Sequence, residues 1–445
     1  MRRSGGGQRG GGQGEVGGEG GGDRGIAYTG SVIGTSDECG SGPEPGEVMP
    51  HPLGMPCERF VTGAAELVKN RKLGAETFYK EVFRKGRRQV GLIGGGAWEM
   101  PLPEVGRVQE EEGPEGVLRK FTLRVRGPER GLKGGTGAGD ERAAAGREAV
   151  VEIESVLIPM IGRKGDRTYT LCVSSQVGCA MGCGFCETAQ MGLVRSLEAW
   201  EIAAQWWTAT HVLGQRVSNM VFMGMGEPMD NLDNVLDAIA ALTDHRGGAM
   251  PMSKITISTV GRVDGIERLS ERVRHPGWRR LGLALSLNAP NDEIRSEIMP
   301  VNGRWKMAEL QRALIGFPAH GAGKLCVEYV LIPGVNDRRE HAAEIAAFCA
   351  PINAAYRAER EGESPRVLLN LIPYNPRRNS PWPAPEEAAV DEFLKWLGEE
   401  GVYAKRRRTK GRTLMGACGQ LGSEAIRGRK FVGITNGKSQ MANGK

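Results

Sequence analysis

The sequence predicts an α/β protein whose core is an open, partial (β/α)6 barrel, preceded by a small accessory helix-and-strand segment and a disordered N-terminus. Three observations carry this prediction. Six runs rich in apolar and β-branched residues, Tyr169–Val177, Ser218–Met223, Lys254–Ser258, Leu281–Leu287, Leu325–Ile332 and Val367–Pro373, alternate with stretches of helical period. Nearly all six are apolar on both faces, the pattern of a parallel sheet covered on both sides. Six units fall short of the eight that close a full barrel, so the sheet is expected to stay open.

Taken in order, residues 1–56 are rich in Gly, Ser, Glu and Pro and poor in aromatics. Such a segment buries too little to offset its ordering entropy and is expected to be disordered. An accessory segment, 57–126, follows. It carries a helical pattern from Phe60 to Phe83 and a strand from Lys120 to Val125. A low-complexity insertion occupies 127–149, and the core, 150–430, opens with a strand over Val150–Pro159. Core helices are expected at Leu197–Val212, Asn231–Leu242, Gly265–Leu269, Met307–Phe317, His341–Phe348 and Glu386–Leu397, and residues 431–445 read as a flexible tail.

No run approaches the ~20 apolar residues of a membrane span, so no membrane partner is expected. Arg2 and Arg3 lead into glycine, not into the apolar stretch of a secretory signal. Nine cysteines, four of them within 172–186, argue for metal or redox chemistry in a reducing compartment, not for a disulfide framework. That points to the cytoplasm, or to a plastid or mitochondrion in a eukaryotic source. The net charge of +6 is a mild lean toward anionic partners.

Cys179, Cys183 and Cys186 form a C-x3-C-x2-C loop directly after a strand. Three thiolates suit a [4Fe-4S] cluster with one iron left open, which S-adenosylmethionine (SAM) can chelate. Structural zinc would want a fourth ligand, and the nearest cysteine, Cys172, lies seven residues upstream. One unit later, Met223-Gly-Met-Gly226-Glu227-Pro228 offers glycines for close backbone approach and a carboxylate for an ammonium group. Cys179, Gly226-Glu227, Ser258, Asn288 and Asn375 all follow strands, so they should converge on one barrel mouth. The densest basic run, Lys405 to Arg412, ends six residues before Cys418 and is expected to meet phosphates. Lys69, Arg71, Lys72, Lys80, Arg84, Lys85, Arg87 and Arg88 offer a second basic surface in the accessory segment.

From about Val150 to Leu421 the chain resembles the adenine-C2 RNA methyltransferases of the radical SAM class. The strings that carry the resemblance are LCVSSQVGCAMGCGFCE, MGMGEP, ISTVG, LSLNAPNDEIR, EYVLIPGVND, NLIPYNP and ACGQL. The resemblance implies a radical SAM barrel, cluster ligation by Cys179, Cys183 and Cys186, and SAM contacts at Gly226, Glu227, Ser258, Ser286, Leu287, Asn288 and Asn375. It also implies that Cys418 carries the transferred methyl, that Cys172 is its partner thiol and that Glu154 accepts a proton. Two SAM molecules serve each turnover in that scheme: one methylates Cys418, the other yields a radical that activates the S-methyl group. Attack of Cys172 on the Cys418 sulfur then frees the product and leaves a disulfide bond. The implied partners are 23S-type rRNA, also tRNA, and a flavodoxin-type electron donor, with the enzyme a cytoplasmic monomer.

Two departures stand out. Arg412-Thr-Leu-Met415 occupies positions where the family carries acidic and Ile residues, and Asn288 stands where many members have His. Methylation at adenine C8 is the nearest rival reading. A zinc-containing RNA-binding protein without enzymatic activity is the rival from another class.

Overall fold

A computed structural model of the chain describes residues 48–127, 150–162, 165–318, 325–358, 367–407 and 410–422. The expectations for 1–47, for most of the 127–149 insertion and for the 431–445 tail therefore lie outside the described residues.

Disorder was expected through residue 56, and the structure corrects this for 48–56. Pro52–Gly54 forms a 3-10 turn with Leu53 fully buried, and His51 stacks on Trp200 at 4.6 Å. Few as they are, these side chains find a ready apolar surface on the core. Cys57, which composition alone leaves without a role, begins α1 (Cys57–Ala64) fully buried, and its N–H donates to Asp244 Oδ2 at 2.8 Å. The single helical pattern from Phe60 to Phe83 resolves into α1 and α2 (Arg71–Lys85). Asn70 and Arg71 between them are left-handed, at φ 64° and 48°, a backbone no continuous right-handed helix accommodates.

A hairpin, β1 (Gln89–Gly91) with β2 (Ala97–Glu99), precedes an antiparallel meander. The meander runs through β3 (Glu104–Gly113), β4 (Gly116–Arg126), β5 (Val150–Ile161) and β6 (Arg167–Cys172). The accessory strands thus extend the core sheet edge through β5. After β6, the pair β7 (Gln176–Gly178) and β8 (Leu193–Ser196) frames the cysteine loop. Parallel pairing then adds β9 (Val217–Phe222), β10 (Ile255–Thr259), β11 (Gly282–Ser286), β12 (Leu325–Leu331) and β13 (Val367–Pro373). These are the expected strands in the expected order. A further parallel strand, β14 (Ala404–Arg406), was not anticipated, because its three residues sit inside the basic run.

Every parallel step moves the same way across the sheet, β6-β9-β10-β11-β12-β13-β14. With right-handed crossovers, that order puts the connecting helices on one face and lets the other curl inward as a partial barrel. The connections carry α3 (Ala199–Trp207), α4 (Leu232–Thr243), α5 (Val263–Arg274), α6 (Asp292–Ile298), α7 (Met307–Gly316), α8 (Arg339–Ala358) and α9 (Glu387–Glu399). The expected helices are present, although α8 runs ten residues past Phe348, through Pro351, and α6 was not foreseen. Strand residues Phe222, Ile257, Leu285, Val327 and Leu369 are buried to 2% or less and make the core that fixes the strand ends. No helix among the described residues is long and apolar enough to cross a membrane.

Candidate active site

The site is built where the parallel strands end. Beyond Cys172 the chain crosses the mouth as Val173–Ser175, held by the fully buried Gln205 of α3. Its Oε1 accepts from Ser155 Oγ and Ser174 N, and its Nε2 donates to Ser174 O, each at 2.8 Å. Ser174 Oγ in turn accepts from Met225 N at 2.9 Å, which ties the glycine-rich turn after β9 to this crossing. Gly178 closes the β7–β8 pinch at φ 78°, where a Cβ would lie 1.9 Å from Gly192 O. No other residue fits there, and Cys179 follows at once.

Cys179, Cys183 and Cys186 line one cavity that opens to solvent. Burial pushes all three thiols up, and their mutual charge pushes Cys179 and Cys183 further. Backbone groups of Met181 at Cys179, and of Ala189 and Thr188 at Cys186, work in the opposite direction. Three buried, mutually repelling sulfurs served by hydrogen bonds are a donor set that suits iron. Among the described residues no three His, Cys, Asp or Glu side chains converge as on a single ion. A cubane does not require that, since each thiolate takes a different corner.

Across the cavity, Gly226 adopts φ 102° and a Cβ there would meet Gln176 Cβ at 2.6 Å. Gln176 Oε1 accepts from Glu227 N at 2.9 Å. The Glu227 carboxylate is buried; Oε1 accepts from Met229 N at 3.1 Å and Oε2 from Val260 N at 2.9 Å. Burial raises its pKa and these bonds oppose the rise. Ser258 and Ser286, 3.3 Å apart through their hydroxyls, and Asn288 complete this wall. Asn288 is left-handed, φ 57°, with its Oδ1 held by Val330 N at 3.0 Å. Glycines for close approach, a buried carboxylate and three small polar side chains fit the amino-acid end of SAM. Leu287 and Asn375 do not line the cavity. Leu287 is buried behind it, and Asn375 Nδ2 reaches the carbonyl of Cys418 at 3.5 Å.

Cys418 lines the same cavity as the three loop cysteines, and its residue surface opens into it. Its loop is tied to theirs, with Glu187 N donating to Gly419 O at 2.7 Å and Thr188 Oγ1 to Leu421 O at 2.5 Å. The surrounding protein pushes its thiol up to about 12; Glu328 adds to the rise, Arg407 opposes it, and Cys172 also acts on it. Cys172 lies outside the cavity lining, buried behind Met223, and is likewise pushed up to about 12. The expected disulfide is not present: every described cysteine is a free thiol. In the resemblance-based scheme that bond closes a turnover, and a thiol pair is what a new round requires.

Glu154 does not line the cavity. It is buried against Lys120, Oε1 to Nζ 3.0 Å, and its Oε2 accepts from Gly422 N at 2.7 Å. Sequence reasoning also missed Glu328, and it assigned Arg407 to the basic run only as a phosphate contact. Glu328 lines the cavity from β12, and Arg407 Nη1 reaches its Oε1 at 3.1 Å. A carboxylate inside the apolar run LCVEYVL was the available signal.

In the basic run Arg408 lies outside the described residues, and three of the other cations have acidic partners. Arg406 is held by Glu387 and Asp391 of α9, Arg407 by Glu328, and Lys410 by Glu115. Arg406 thus ties β14 to α9, Arg407 ties its end to β12, and Lys410 ties the chain beyond it to the β3–β4 turn. On the accessory helix, Arg71, Lys80, Lys85, Arg87 and Arg88 also have acidic partners. Those pairs are more exposed, and exchange for a phosphate costs little there.

The family model of the Radical SAM superfamily matches residues 173–346. A protein of Protochlamydia amoebophila named probable dual-specificity RNA methyltransferase RlmN 1 is 43% identical over 281 residues, covering 63% of this chain and 72% of that one. The dual-specificity RNA methyltransferase RlmN of Lawsonia intracellularis is 40% identical over 275 residues, covering 60% and 72%. Among solved structures, a radical SAM methyltransferase from Sphaerobacter thermophilus superposes with a TM-score of 0.64 at 28% identity, covering 83% of this chain and 98% of that one. With the cysteine loop, the glycine-rich turn and the Cys418 loop gathered on one barrel mouth, this chain belongs to the RlmN family of radical SAM methyltransferases, whose cofactors are a [4Fe-4S] cluster and SAM.

Proposed function

We propose that the chain methylates C2 of an adenine in RNA, with Cys418 as the methyl carrier and Cys172 as its resolving thiol. The observation that carries the reading is that Cys418 lines the same cavity as Cys179, Cys183 and Cys186. The RNA substrate is supported by the names of the relatives; 23S-type rRNA together with tRNA is the proposed pair of targets, as the sequence resemblance implies.

C2 of adenine lies between two ring nitrogens and is too electron-poor to attack a methyl sulfonium as a nucleophile. The cluster on Cys179, Cys183 and Cys186, when bound with SAM, supplies the single-electron chemistry that removes this barrier. The chain's own residues do the rest. Glu227 holds the ammonium of SAM, and Gly226, Ser258, Ser286 and Asn288 let it lie against the strand ends. Cys418, as thiolate, accepts a methyl by displacement, and the Arg407 charge favours that thiolate. Once the methyl carbon has joined C2, the adduct gives up the C2 proton and its odd electron, the electron returning to the bound cofactor. Cys172, behind Cys418, then attacks the Cys418 sulfur as thiolate. The S–C bond breaks as the S–S bond forms, and its electron pair takes a proton to complete the methyl group. Both thiols must be reduced before the next round. A flavodoxin-type protein is the proposed electron donor, and a cytoplasmic monomer the proposed working form. In a duplex C2 faces the minor groove, so the target base must be unstacked or extruded.

The test is mass spectrometry of nucleosides from rRNA and tRNA after reaction with the anaerobically reconstituted protein and SAM. 2-Methyladenosine is expected; 8-methyladenosine, or no methylated adenosine, overturns the reading. Cys418→Ala should abolish transfer and Cys172→Ala should trap an RNA–protein adduct, whereas full turnover by either variant would sink the two-thiol route.

A further inference from the structure

Both ends of the Cys418 loop are gripped by one buried ion pair. Lys120, on β4, and Glu154, on β5, are oriented to the same side of paired strands, with side chains 7% and 4% exposed. The Lys120 ammonium lies 3.0 Å from Glu154 Oε1 and donates to Met415 O at 3.1 Å and Leu414 O at 3.3 Å. Glu154 Oε2 accepts the N–H of Gly422 at 2.7 Å. The lysine therefore holds the chain just before Cys418, and the glutamate holds it just after.

Backbone conformation supports this reading independently. Met415 is left-handed, φ 50°, which an unbranched non-glycine residue adopts only when its surroundings over-determine it. The two carbonyls on either side of that φ converge on one ammonium, which accounts for the conformation. The other ties of the loop come from both sides: Glu187, Thr188 and Asn375 from the cluster side of the cavity, and Glu111 of β3, which accepts from Gly411 N at 3.1 Å and from Thr413 Oγ1. Between the Glu111 ties and Cys418 the chain is held to β4 by the two Lys120 contacts, at Leu414 and Met415.

We propose that Lys120 is a positioning residue: through Glu154 and the Leu414 and Met415 carbonyls it clasps the Cys418 loop and sets where the Cys418 sulfur stands in the cavity it shares with Cys179, Cys183 and Cys186. Its importance for methyl transfer rests on the function proposed above; the clasp itself does not. Glu154 belongs to the same device, since the pair occupies one of its oxygens and the loop the other.

The experiment uses the full-length reconstituted protein without RNA, comparing wild type, Lys120→Met, Lys120→Arg and Glu154→Gln. Two rates are read: amide hydrogen exchange in peptides spanning 411–422, and iodoacetamide alkylation of Cys418 followed by peptide mass. Lys120→Met should speed loop exchange by about tenfold or more and alkylation by about fivefold, with β12 and β13 unchanged. Lys120→Arg, which keeps a donor cation, should return both rates to within about twofold of wild type. Glu154→Gln should release the Gly422 end and give a smaller loop-specific increase. Wild-type loop rates in folded Lys120→Met overturn the proposal. If Lys120→Met also loosens β12 and β13, the uncharged lysine site has unfolded the core, and Glu154→Gln decides: wild-type loop rates there overturn the clasp, and loop-specific opening supports it. Neither rate involves RNA or methyl transfer, so a failed clasp and a failed methyltransferase reading give different results. In turnover assays Lys120→Met should lower kcat and leave SAM affinity as it is.

Discussion

Gly226→Ala tests how the SAM wall is held. At φ 102° an alanine meets its own backbone, and its methyl group would also lie 2.6 Å from Gln176 Cβ, 2.8 Å from Gln176 Cγ and 2.8 Å from Gln176 N. The last of these is backbone of β7 and has no rotamer to escape into. The conformational part alone costs about 1–3 kcal/mol. The turn relieves that cost by moving, and Gln176 Oε1 is also what holds the Glu227 N–H, so the carboxylate moves with it. If that displacement appears as lost binding, at ~1.4 kcal/mol per decade SAM affinity should fall about 10- to 100-fold. The assay is anaerobic calorimetric titration of SAM into the iron-loaded protein, with iron and sulfide content and a thermal melt measured in parallel. Iron content should be unchanged, because the cysteine loop hangs on Gly178 and β8, not on Gly226. Gly398→Ala in α9, where a Cβ meets nothing within 4 Å, is the control and should gain roughly 0.5–1 kcal/mol of helix stability. A folded Gly226→Ala protein with SAM affinity within about twofold of wild type would refute the reasoning.

Two further outcomes follow from the geometry. Gln205→Leu strips partners from Ser155 Oγ and from the N–H and carbonyl of Ser174, all buried, and should cost about 3–5 kcal/mol in denaturant melts; a loss under about 1 kcal/mol would show that the crossing is held elsewhere. Arg406→Gln should leave RNA affinity and its salt dependence unchanged between 50 and 200 mM, because Glu387 and Asp391 already hold that guanidinium. A drop of about one in the salt slope would put Arg406 on a phosphate after all.

The parallel strands were legible because each is a short apolar run buried on both sides, and the site because its motifs fall where those runs stop. What escaped had weaker local signals. β14 is three residues long and reads Ala-Lys-Arg, so its pairing with Leu369–Leu371 is a tertiary fact with no periodicity to announce it. α6 is seven residues, too short for its period to register. Of the buried charges, Glu328 in CVEYV was readable in principle, since it interrupts an otherwise apolar strand, whereas Lys120 and Glu154 share their strands with the charged Arg119, Arg124 and Glu152 and stand out less. A charge in such a place is costly unless paired, so it implies a partner. The sequence does not say which partner, because Lys120 and Glu154 are 34 positions apart and Glu328 and Arg407 are 79 apart.

The Arg407–Glu328 pair shows why the basic run reads differently in three dimensions. Glu328 projects into the mouth within 3.5 Å of Ser258 Oγ, and Arg407 lies against it and 3.6 Å from Met223 Sδ. Burial works against the Arg407 charge, and the Glu328 carboxylate beside it sustains it. Both reactive thiols are pushed up by burial, and the same guanidinium opposes the rise at each. A cavity that must exclude water while asking a thiol to ionise needs a fixed cation close by. Lysine would serve less well, since its ammonium gives up its charge more readily on burial. On the function proposed above, the arginine next to the strand end serves the Cys418 thiolate, and the more exposed pairs of the accessory segment offer phosphate a place to exchange.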